Sequence, residues 1–427
     1  MKILILVSLV LLASSPLALA SNVVSTAPTA PVQLYCTPNS WGIVGQPLRP
    51  NAHPIVAALK KAQAGSTITL EAGDYAPFTL GLGSSATNNS KCKGGRQDAP
   101  LVIDGRGRVR IIGRDGDTVG IDQRDSVRHI TFRGISFLAG RRAALMFYKR
   151  DDGKNHVGFF FEDCQILGGF DHVRGTGRHS KWGVWGHRLK NFRFVGVEEP
   201  AKVTGLRSEH AFYIQNPQGD VLIENVIGDG LGRTFVQLTC RKRDGPPGRG
   251  KFTVRRCRVS NIGLARGDNF RGGSAFTIAG RHRGQLLFEE NVFRAGFDKR
   301  YGKLKPVGGV HGTGAFVAWQ GGEKERNSVL ILKNNDFSMA YGCGDRALVA
   351  ITGCDVVRIL GKNVFRSGAF QPALALEPLD DDGNMAGEPN VNVGIVPTTV
   401  YEGEITLQNR VLSRADMGRY NLWKKQD

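Results

Sequence analysis

The stretch that decides the fold is Phe288-Glu289-Glu290-Asn291-Val292-Phe293. It places a small residue or an Asn between two apolar residues, in the order apolar, any, any, small or Asn, any, apolar. The same unit returns roughly every thirty residues, at 132–137, 161–166, 192–197, 222–227, 254–259, 332–337, 360–365 and 407–412. Where the chain turns a corner, residues in the fourth position could stack one above another as an interior ladder. This position holds Ile135, Cys164, Val195, Asn225, Cys257, Asn291, Asn335, Asn363 and Arg410.

A second short apolar run lies between successive units. These runs are found at 144–147, 183–185, 211–214, 235–238, 275–278, 315–318, 347–350 and 373–376. Their β-branched and aromatic residues with nearby Gly favour strands. Two or three short strands in about thirty residues indicate one coil of a parallel β-helix, because a single coil cannot bury its apolar face alone. The units are too short for the blades of a β-propeller, so the sequence predicts an all-β solenoid.

The beginning of this region carries a family resemblance. IVAALKKA at 55–62 and GSTITLEAGDY at 65–75 resemble the opening of the pectin-lyase-like right-handed parallel β-helix superfamily, with Ser66 where that pattern usually has Asp. PLVIDG at 100–105 and VRIIG at 109–113 continue the likeness. The resemblance implies a single right-handed parallel β-helix, a short N-terminal capping helix at 55–62, and a substrate groove on the sheet that follows the long third turn.

The N-terminus predicts export. Lys2, the apolar run 3–12 and the sequence Ala18-Leu19-Ala20 are typical of a signal peptide. We expect cleavage near Ala20 and a secreted or periplasmic location. The predicted organisation is a signal peptide at 1–20, an extended lead-in at 21–49, the β-helix at 50–415 and a C-terminal tail at 416–427. No later apolar run is long enough for a membrane span, and we expect a monomer.

The charge of the chain indicates an acidic partner. Lys and Arg number 57 against 38 Asp and Glu, for a formal net charge of +19. For an exported protein this favours an acidic polysaccharide. Because the sequence contains no helix-turn-helix, zinc-finger or RNP-like segment, no nucleic acid partner is expected. The seven Cys residues allow the pairs Cys36–Cys92, Cys240–Cys257 and Cys343–Cys354, although Cys164 and Cys257 also fit small buried core positions.

Candidate catalytic residues follow from strand alternation. If Phe212 and Ile214 point inward, Tyr213 points into the groove. For β-elimination of a uronic acid, His210 would be the base, Arg241 and Lys242 would neutralise the substrate carboxylate, and Tyr213 would assist the leaving oxygen. Groove positions and basic strand ends give the candidate substrate-binding residues, which are Trp185, His187, Arg188, Arg207, Arg233, Gln237, Arg281 and His282. Of these, RHRG at 281–284 with Asn291 resembles the RHG…N segment of the chondroitinase B and alginate lyase family, with one Arg inserted before Gly284.

The predicted function is a polysaccharide lyase acting on a uronic-acid-containing polymer. Hydrolysis in this fold usually needs a close pair of carboxylates, and none lies on the predicted groove strands. A non-catalytic polysaccharide-binding or adhesion protein is one alternative, and a hydrolase or epimerase on the same fold is another. No cofactor is assigned. Calcium could be held by loop carboxylates, although no spacing identifies a site among Asp171, Glu198, Glu199, Glu209, Asp229 and Asp268.

Overall fold

Short strands with alternating burial build the molecule, as in β23, residues Gln285–Glu289, where Leu286 and Phe288 are fully buried and their neighbours are not. The computed structural model describes residues 31–81, 92–122, 127–149, 154–168, 182–206, 209–262, 274–295, 314–319, 326–339, 347–366, 373–376, 392–395, 400–402, 405–407 and 410–411.

In chain order the elements of the first half are β1 (Gln33–Thr37), β2 (Ser40–Ile43), β3 (Arg49–Pro50), α1 (Pro54–Leu59), β4 (Thr67–Leu70), β5 (Gly73–Tyr75), β6 (Phe78–Leu80), β7 (Leu101–Ile112), β8 (Val119–Ile121), β9 (Arg128–Leu138), β10 (Ala143–Phe147), β11 (His156–Glu162), β12 (Gln165–Leu167), β13 (Trp182–His187), β14 (Leu189–Val195), β15 (Ala201–Thr204), β16 (Phe212–Gln215), β17 (Val221–Glu224) and β18 (Val226–Asp229).

The second half continues with β19 (Val236–Cys240), a 3-10 turn (Lys242–Asp244), β20 (Lys251–Arg255), β21 (Arg258–Ser260), β22 (Phe276–Gly280), β23 (Gln285–Glu289), β24 (Val292–Ala295), β25 (Phe316–Trp319), β26 (Asn327–Lys333), β27 (Asp336–Met339), β28 (Val349–Ile351), β29 (Cys354–Leu360), β30 (Val364–Arg366), β31 (Leu374–Ala375), β32 (Asn392–Ile395), β33 (Val400–Glu402), β34 (Ile405–Leu407) and β35 (Arg410–Val411).

These strands form three parallel faces. The first face runs β1, β4, β7, β9, β11, β14, β17, β20, β23, β26, β29, β32, and the second runs β5, β7, β9, β12, β15, β18, β21, β24, β27, β30, β33. They are joined because β7 and β9 continue around the corner between them. The third face is a separate sheet of β6, β8, β10, β13, β16, β19, β22, β25, β28, β31 and β34. The chain is therefore a right-handed parallel β-helix, as predicted.

The core lies between the three faces and combines many aliphatic side chains with Phe rings. Phe132 and Phe161, from successive coils, stack with ring centroids 5.0 Å apart, and Phe161 stacks on Phe194 at 5.9 Å. Each coil repeats the same inward positions, so apolar side chains stack along the axis. All three rings are fully buried, which provides the hydrophobic stabilisation that no single coil could supply.

The predicted interior ladder is present, but three of its nine positions, Val195, Asn225 and Arg410, were wrong. Cys164, Cys257, Asn291, Asn335 and Asn363 are buried at the corner between the first and second faces, as predicted. In the coil at 192–197 the chain bulges outward instead. Val197 is 64% exposed, and Ala201 takes the ladder position beside Val226. In the next coil Asn225 is the corner residue itself, with φ of 53°, and Val226 follows it into the ladder.

The backbone conformation at the corner explains why the sequence pattern wrongly placed Asn225 in the ladder. The residue just before the ladder has positive φ in several coils, at Asp163, Asn225, Arg256, Glu290 and Asn334. Asn is one of the few residues that adopt this left-handed conformation readily. The same residue type thus serves at the corner and in the ladder, and the pattern does not distinguish the two positions.

Both ends of the solenoid differ from a plain stack of coils. At the N-terminal end α1 overlaps the predicted capping segment, beginning one residue earlier and ending at Leu59, and it buries Ile55, Val56 and Leu59. Within the predicted lead-in, β1 pairs with β4 in parallel, so the first face begins at Gln33 rather than near residue 50. At the other end the unit predicted at 407–412 is wrong, since β35 pairs with β34 in antiparallel orientation.

Several cysteines in the described part of the chain pack as thiols. Cys36, Cys240 and Cys257 are free and buried, so the predicted pairs Cys36–Cys92 and Cys240–Cys257 are wrong, and Cys343 lies outside the described residues. Cys240 ends a strand of the third face, whereas Cys257 occupies the corner between the other two. Burial raises the pKa of Cys257 to about 12, so its thiol stays protonated. In the described part of the chain, no helix combines the length and apolar character needed to cross a membrane.

Candidate functional site

The third face presents a row of side chains to the outside of the solenoid. Parallel register pairs Met146 with Trp185, Trp185 with Tyr213, Tyr213 with Gln237, and Gln237 with Thr277. Strand neighbours of these residues, such as Phe212 and Ile214, are fully buried in the core. The predicted column of Trp185, Tyr213 and Gln237 is therefore present.

This row is accessible along only part of its length. Trp185, Tyr213, Gln237 and Thr277 are half-buried and form what we call the open floor. Met146 on one side is 6% exposed and Val317 on the other is 5% exposed. Because neighbouring strands lie about 4.8 Å apart, the open floor spans roughly 15 Å.

Aromatic rings line one end of the open floor. The ring centroids of Trp182 and Trp185 lie 4.4 Å apart, and those of Trp185 and Tyr213 lie 5.9 Å apart. Gln215 connects the last two, since Trp185 Nε1 donates to its Oε1 at 2.9 Å and its Nε2 donates to Tyr213 Oη at 3.3 Å. One amide therefore fixes both side chains. Exposed aromatic faces beside polar groups can stack on sugar rings.

His210 lies beneath the edge of the open floor, just before β16. Its ring stacks on Tyr213 with centroids 5.4 Å apart and planes 26° from parallel. The side chain is 5% exposed, and Nδ1 has no hydrogen-bond partner among the described residues. Nε2 lies 3.4 Å from Glu209 Oε2, but Arg233 contacts the same oxygen at 3.4 Å.

The imidazole of His210 is neutral at ordinary pH. Burial, with a smaller contribution from the Arg233 charge, lowers the pKa of His210 to about 3. The Glu209 carboxylate would favour the imidazolium, but it is shared with Arg233, and desolvation prevails. A neutral ring with a free nitrogen can accept or relay a proton.

Tyr213 keeps its proton at neutral pH, because burial raises its pKa. A hydrogen bond with Thr239 and the charges of Arg241 and Arg243 oppose this shift, whereas the negative charge of Asp244 adds to it. The two cations stabilise negative charge near the phenol, and Asp244 partly offsets them. Tyr213 is thus a protonated acid with two cations and one carboxylate acting on it.

A loop at 241–250 covers the adjoining part of the third face. Asn216 Nδ2 donates to Arg241 O at 3.3 Å and to Pro246 O at 2.8 Å, and Arg281 Nη2 donates to Gly245 O at 3.4 Å. His187 Nε2 lies 3.1 Å from Asp244 O. The loop reaches back over two earlier coils and leaves His187 only 2% exposed.

The predicted site residues divide into two groups. Trp185, Tyr213, His210, Gln237 and Arg241 lie together around the open floor, and Arg233 reaches them through Glu209. Of the other predicted residues that the structure describes, His187 and Arg281 contact the 241–250 loop.

His282 is fully buried and accepts a hydrogen bond from Gly284 N. Arg188 is half-buried at the end of its strand, Lys242 is exposed on the loop, and Arg207 lies outside the described residues. Gln215 and Asp244 were not among the predicted residues. Strand alternation places Gln215 on the outer side of its strand, as it does Tyr213, but assigns it no role, and the fold of the 241–250 loop has no sequence signal.

The described residues do not form a set of ligands for the predicted calcium ion. Within the described ranges, no group of three His, Cys, Asp or Glu side chains is placed to hold a metal ion. Two of the six candidate carboxylates, Asp171 and Asp268, lie outside those ranges. Calcium binding stays a prediction.

Of the comparisons with known proteins, the one with solved structures gives a match. No protein-family model matches the chain, and no curated protein matches it. Among solved structures, the chain is similar to the A-module of the mannuronan C-5 epimerase AlgE4 from Azotobacter vinelandii. The alignment has 11% sequence identity and a TM-score of 0.32, and it covers 80% of this chain and 91% of the module.

Proposed function

We propose that the protein is an exported lyase that cleaves a uronic-acid-containing polysaccharide by β-elimination on the open floor. The observation that carries the proposal is the Tyr213 phenol stacked on the neutral His210 imidazole, with the charges of Arg241 and Arg243 acting on the phenol. Proton transfer groups and cations are the components that this reaction requires.

The chemistry assigns one task to each group. His210 removes the proton on the carbon beside the sugar carboxylate, and Arg241 neutralises the enolate that develops. The bond between the neighbouring carbon and the glycosidic oxygen then breaks, and its electron pair leaves with that oxygen. Tyr213 donates its proton to the oxygen. The products are a new reducing end and a new end with a carbon–carbon double bond.

The pKa directions support these roles. His210 must be neutral to accept a proton, and its low pKa ensures this. Such a base is weak, but a bound carboxylate would favour the imidazolium and raise the pKa toward the working pH. Tyr213 must be protonated to act as an acid, which agrees with its raised pKa.

The strands of the open floor favour elimination over hydrolysis. The strands β13, β16, β19 and β22, which carry the open floor, contain no Asp or Glu. A hydrolase would need two carboxylates on either side of the scissile bond. The net charge of +19 also supports an acidic polymer as the substrate.

The test is a panel of acidic polymers, including pectate, alginate and glycosaminoglycans, incubated with the purified protein. New double bonds are measured by ultraviolet absorbance, and a neutral glucan is the control. If the protein is a lyase, ultraviolet absorbance should rise with at least one acidic polymer. Hydrogen exchange with solvent without double bonds would establish an epimerase instead, and binding without either change would establish a non-catalytic polysaccharide-binding protein.

A further inference from the structure

Gln215 is the last residue of β16, two positions beyond Tyr213, and it is nearly buried. Its residue is 8% exposed, and in parallel register it lies between His187 and Thr239, which are 2% and 1% exposed. Polar groups with so little access to water form their hydrogen bonds within the protein. The partners of the Gln215 amide therefore matter for the site.

Those partners determine which way the amide points. Gln215 Oε1 accepts from Trp185 Nε1 at 2.9 Å, and Gln215 Nε2 donates to Tyr213 Oη at 3.3 Å. An indole nitrogen can only donate, so the end of the amide that faces Trp185 must be its oxygen. The end that faces Tyr213 is then the NH2 group, which cannot accept a hydrogen bond. In this contact the phenol oxygen is the acceptor.

The direction of this bond matters for proton transfer from Tyr213. With the amide reversed, the phenol would donate to the amide oxygen and would lose that bond on giving up its proton. In the observed direction, transfer breaks the O–H bond, leaves the electron pair on Oη and carries the proton to the departing glycosidic oxygen. The bond from Gln215 Nε2 then has a charged acceptor and becomes stronger. Such a bond stabilises the state after transfer more than the state before it.

We infer that Gln215 is a positioning residue, whose amide donates to Tyr213 Oη and so supports that oxygen when its proton leaves. The inference rests on the proposed function for the role of Tyr213 as the acid. Trp185 takes part indirectly, because its indole N–H holds the amide in the required direction. Gln215 itself is covered and acts through Tyr213.

The pKa of Tyr213 tests the direction of the bond without any substrate. Gln215→Met is neutral, similar in size and unable to donate. Loss of a donor to the phenolate should raise the pKa of Tyr213 by about one, since a hydrogen bond to a charged group contributes about 1.5 kcal/mol or more. If the phenol were the donor instead, loss of its acceptor would lower the pKa. A lower or unchanged pKa would overturn the inference.

The measurement is the absorbance of tyrosinate at pH values of about 9 to 11. The chain has eight Tyr residues, so the titration of Tyr213→Phe is subtracted from that of the unmodified protein. The titration of the Gln215→Met, Tyr213→Phe double variant is subtracted from that of Gln215→Met. Gln215→Leu, which is also neutral, replaces the methionine variant if circular dichroism shows that the latter does not fold.

Turnover tests the contribution to the reaction. Gln215→Met should lower kcat on an acidic polymer by roughly fivefold to tenfold, the effect of one hydrogen bond in the transition state. KM should change little, because the amide is covered. A uronide whose departing oxygen belongs to a nitrophenol needs no proton from Tyr213, so the variant should cleave it at the unmodified rate. Equal slowing on both substrates, or full turnover of the polymer, would overturn the inference.

Gln165→Met is the matched control. Gln165 is half-buried on β12 of the second face, so its substitution should leave the pKa of Tyr213 and the turnover unchanged. The outcomes also separate this inference from the proposed function. If the unmodified protein forms no double bonds with any acidic polymer, the lyase is rejected, and a raised pKa in Gln215→Met would still establish the amide as a donor to Tyr213.

Discussion

Tyr213 and His210 are the residues whose substitution separates chemistry from binding. Tyr213→Phe removes only the hydroxyl and keeps the ring that stacks between Trp185 and His210. We expect turnover to fall about a hundredfold, the usual contribution of a general acid, while polymer binding is retained. Initial rates of double-bond formation and a binding isotherm measure the two effects.

The corresponding base variant is His210→Ala, for which we expect a loss of turnover of similar size, about a hundredfold. For Tyr213→Phe the matched control is Tyr35→Phe. Tyr35 lies on β1 of the first face, so loss of its hydroxyl should leave turnover unchanged. Full activity in Tyr213→Phe and His210→Ala would exclude both residues from the mechanism.

His282 makes stability depend on pH. The ring is fully buried, and burial lowers its pKa to about 4. Below about pH 6.5 the unfolded chain binds a proton that the folded chain does not. The free energy of unfolding should therefore fall as the pH decreases from 6.5 to 4, by about 3 kcal/mol from this residue. Burial also lowers the pKa of His210, so this residue too should reduce the free energy of unfolding as the pH falls.

The measurement is the urea midpoint at several pH values for the unmodified protein and for His282→Gln. The variant has no imidazole to protonate, so its midpoint should change less with pH in this window. Equal slopes for the two proteins would show that His282 is not the source.

At the level of the element, the Asn ladder joins successive coils. Asn335 Oδ1 accepts from Asn291 N and Nδ2, both at 3.1 Å, and Asn335 Nδ2 donates to Phe288 O and to Asn363 Oδ1. Asn335→Ala would leave these buried groups without partners. We expect a loss of about 3 kcal/mol in the free energy of unfolding, since each unsatisfied buried group costs roughly 1–3 kcal/mol.

Ser338→Ala is the control for the ladder, because Ser338 lies on β27 of the same coil and is only half-buried. Its effect should stay within about 0.5 kcal/mol, as is usual for surface substitutions. Denaturant midpoints compare the two variants. If Asn335→Ala is no more destabilising than Ser338→Ala, the amide ladder does not hold the coils together.

At the level of the whole molecule, charge should govern affinity. With 57 basic and 38 acidic residues, the protein should bind acidic polymers best at low salt. Affinity should fall as salt rises, because exposed charges are screened over about 10 Å at 0.1 M. Retention on immobilised pectate or alginate across a salt gradient measures this. Equal retention on a neutral glucan at low salt would contradict the prediction.

The sequence by itself determined the solenoid. Each coil must bury the same apolar positions against its neighbours, so the requirement repeats in the sequence and can be recognised there. The second set of short apolar runs, such as those at 211–214 and 235–238, was correctly predicted to form strands, and alternation within a strand gave the column of Trp185, Tyr213 and Gln237. These features depend only on local periodicity.

The tertiary structure alone decided the corners, the covering loop and single contacts between coils. Asn225 and Asn291 occur in similar patterns, yet the backbone at Asn225 adopts positive φ and at Asn291 does not. His187 was predicted to face a groove, but the 241–250 loop folds back over it. The Tyr148 hydroxyl donates to Asp117 of the preceding coil. Contacts between residues so far apart in the chain leave no periodic signal, because each forms once and has no repeat to reveal it.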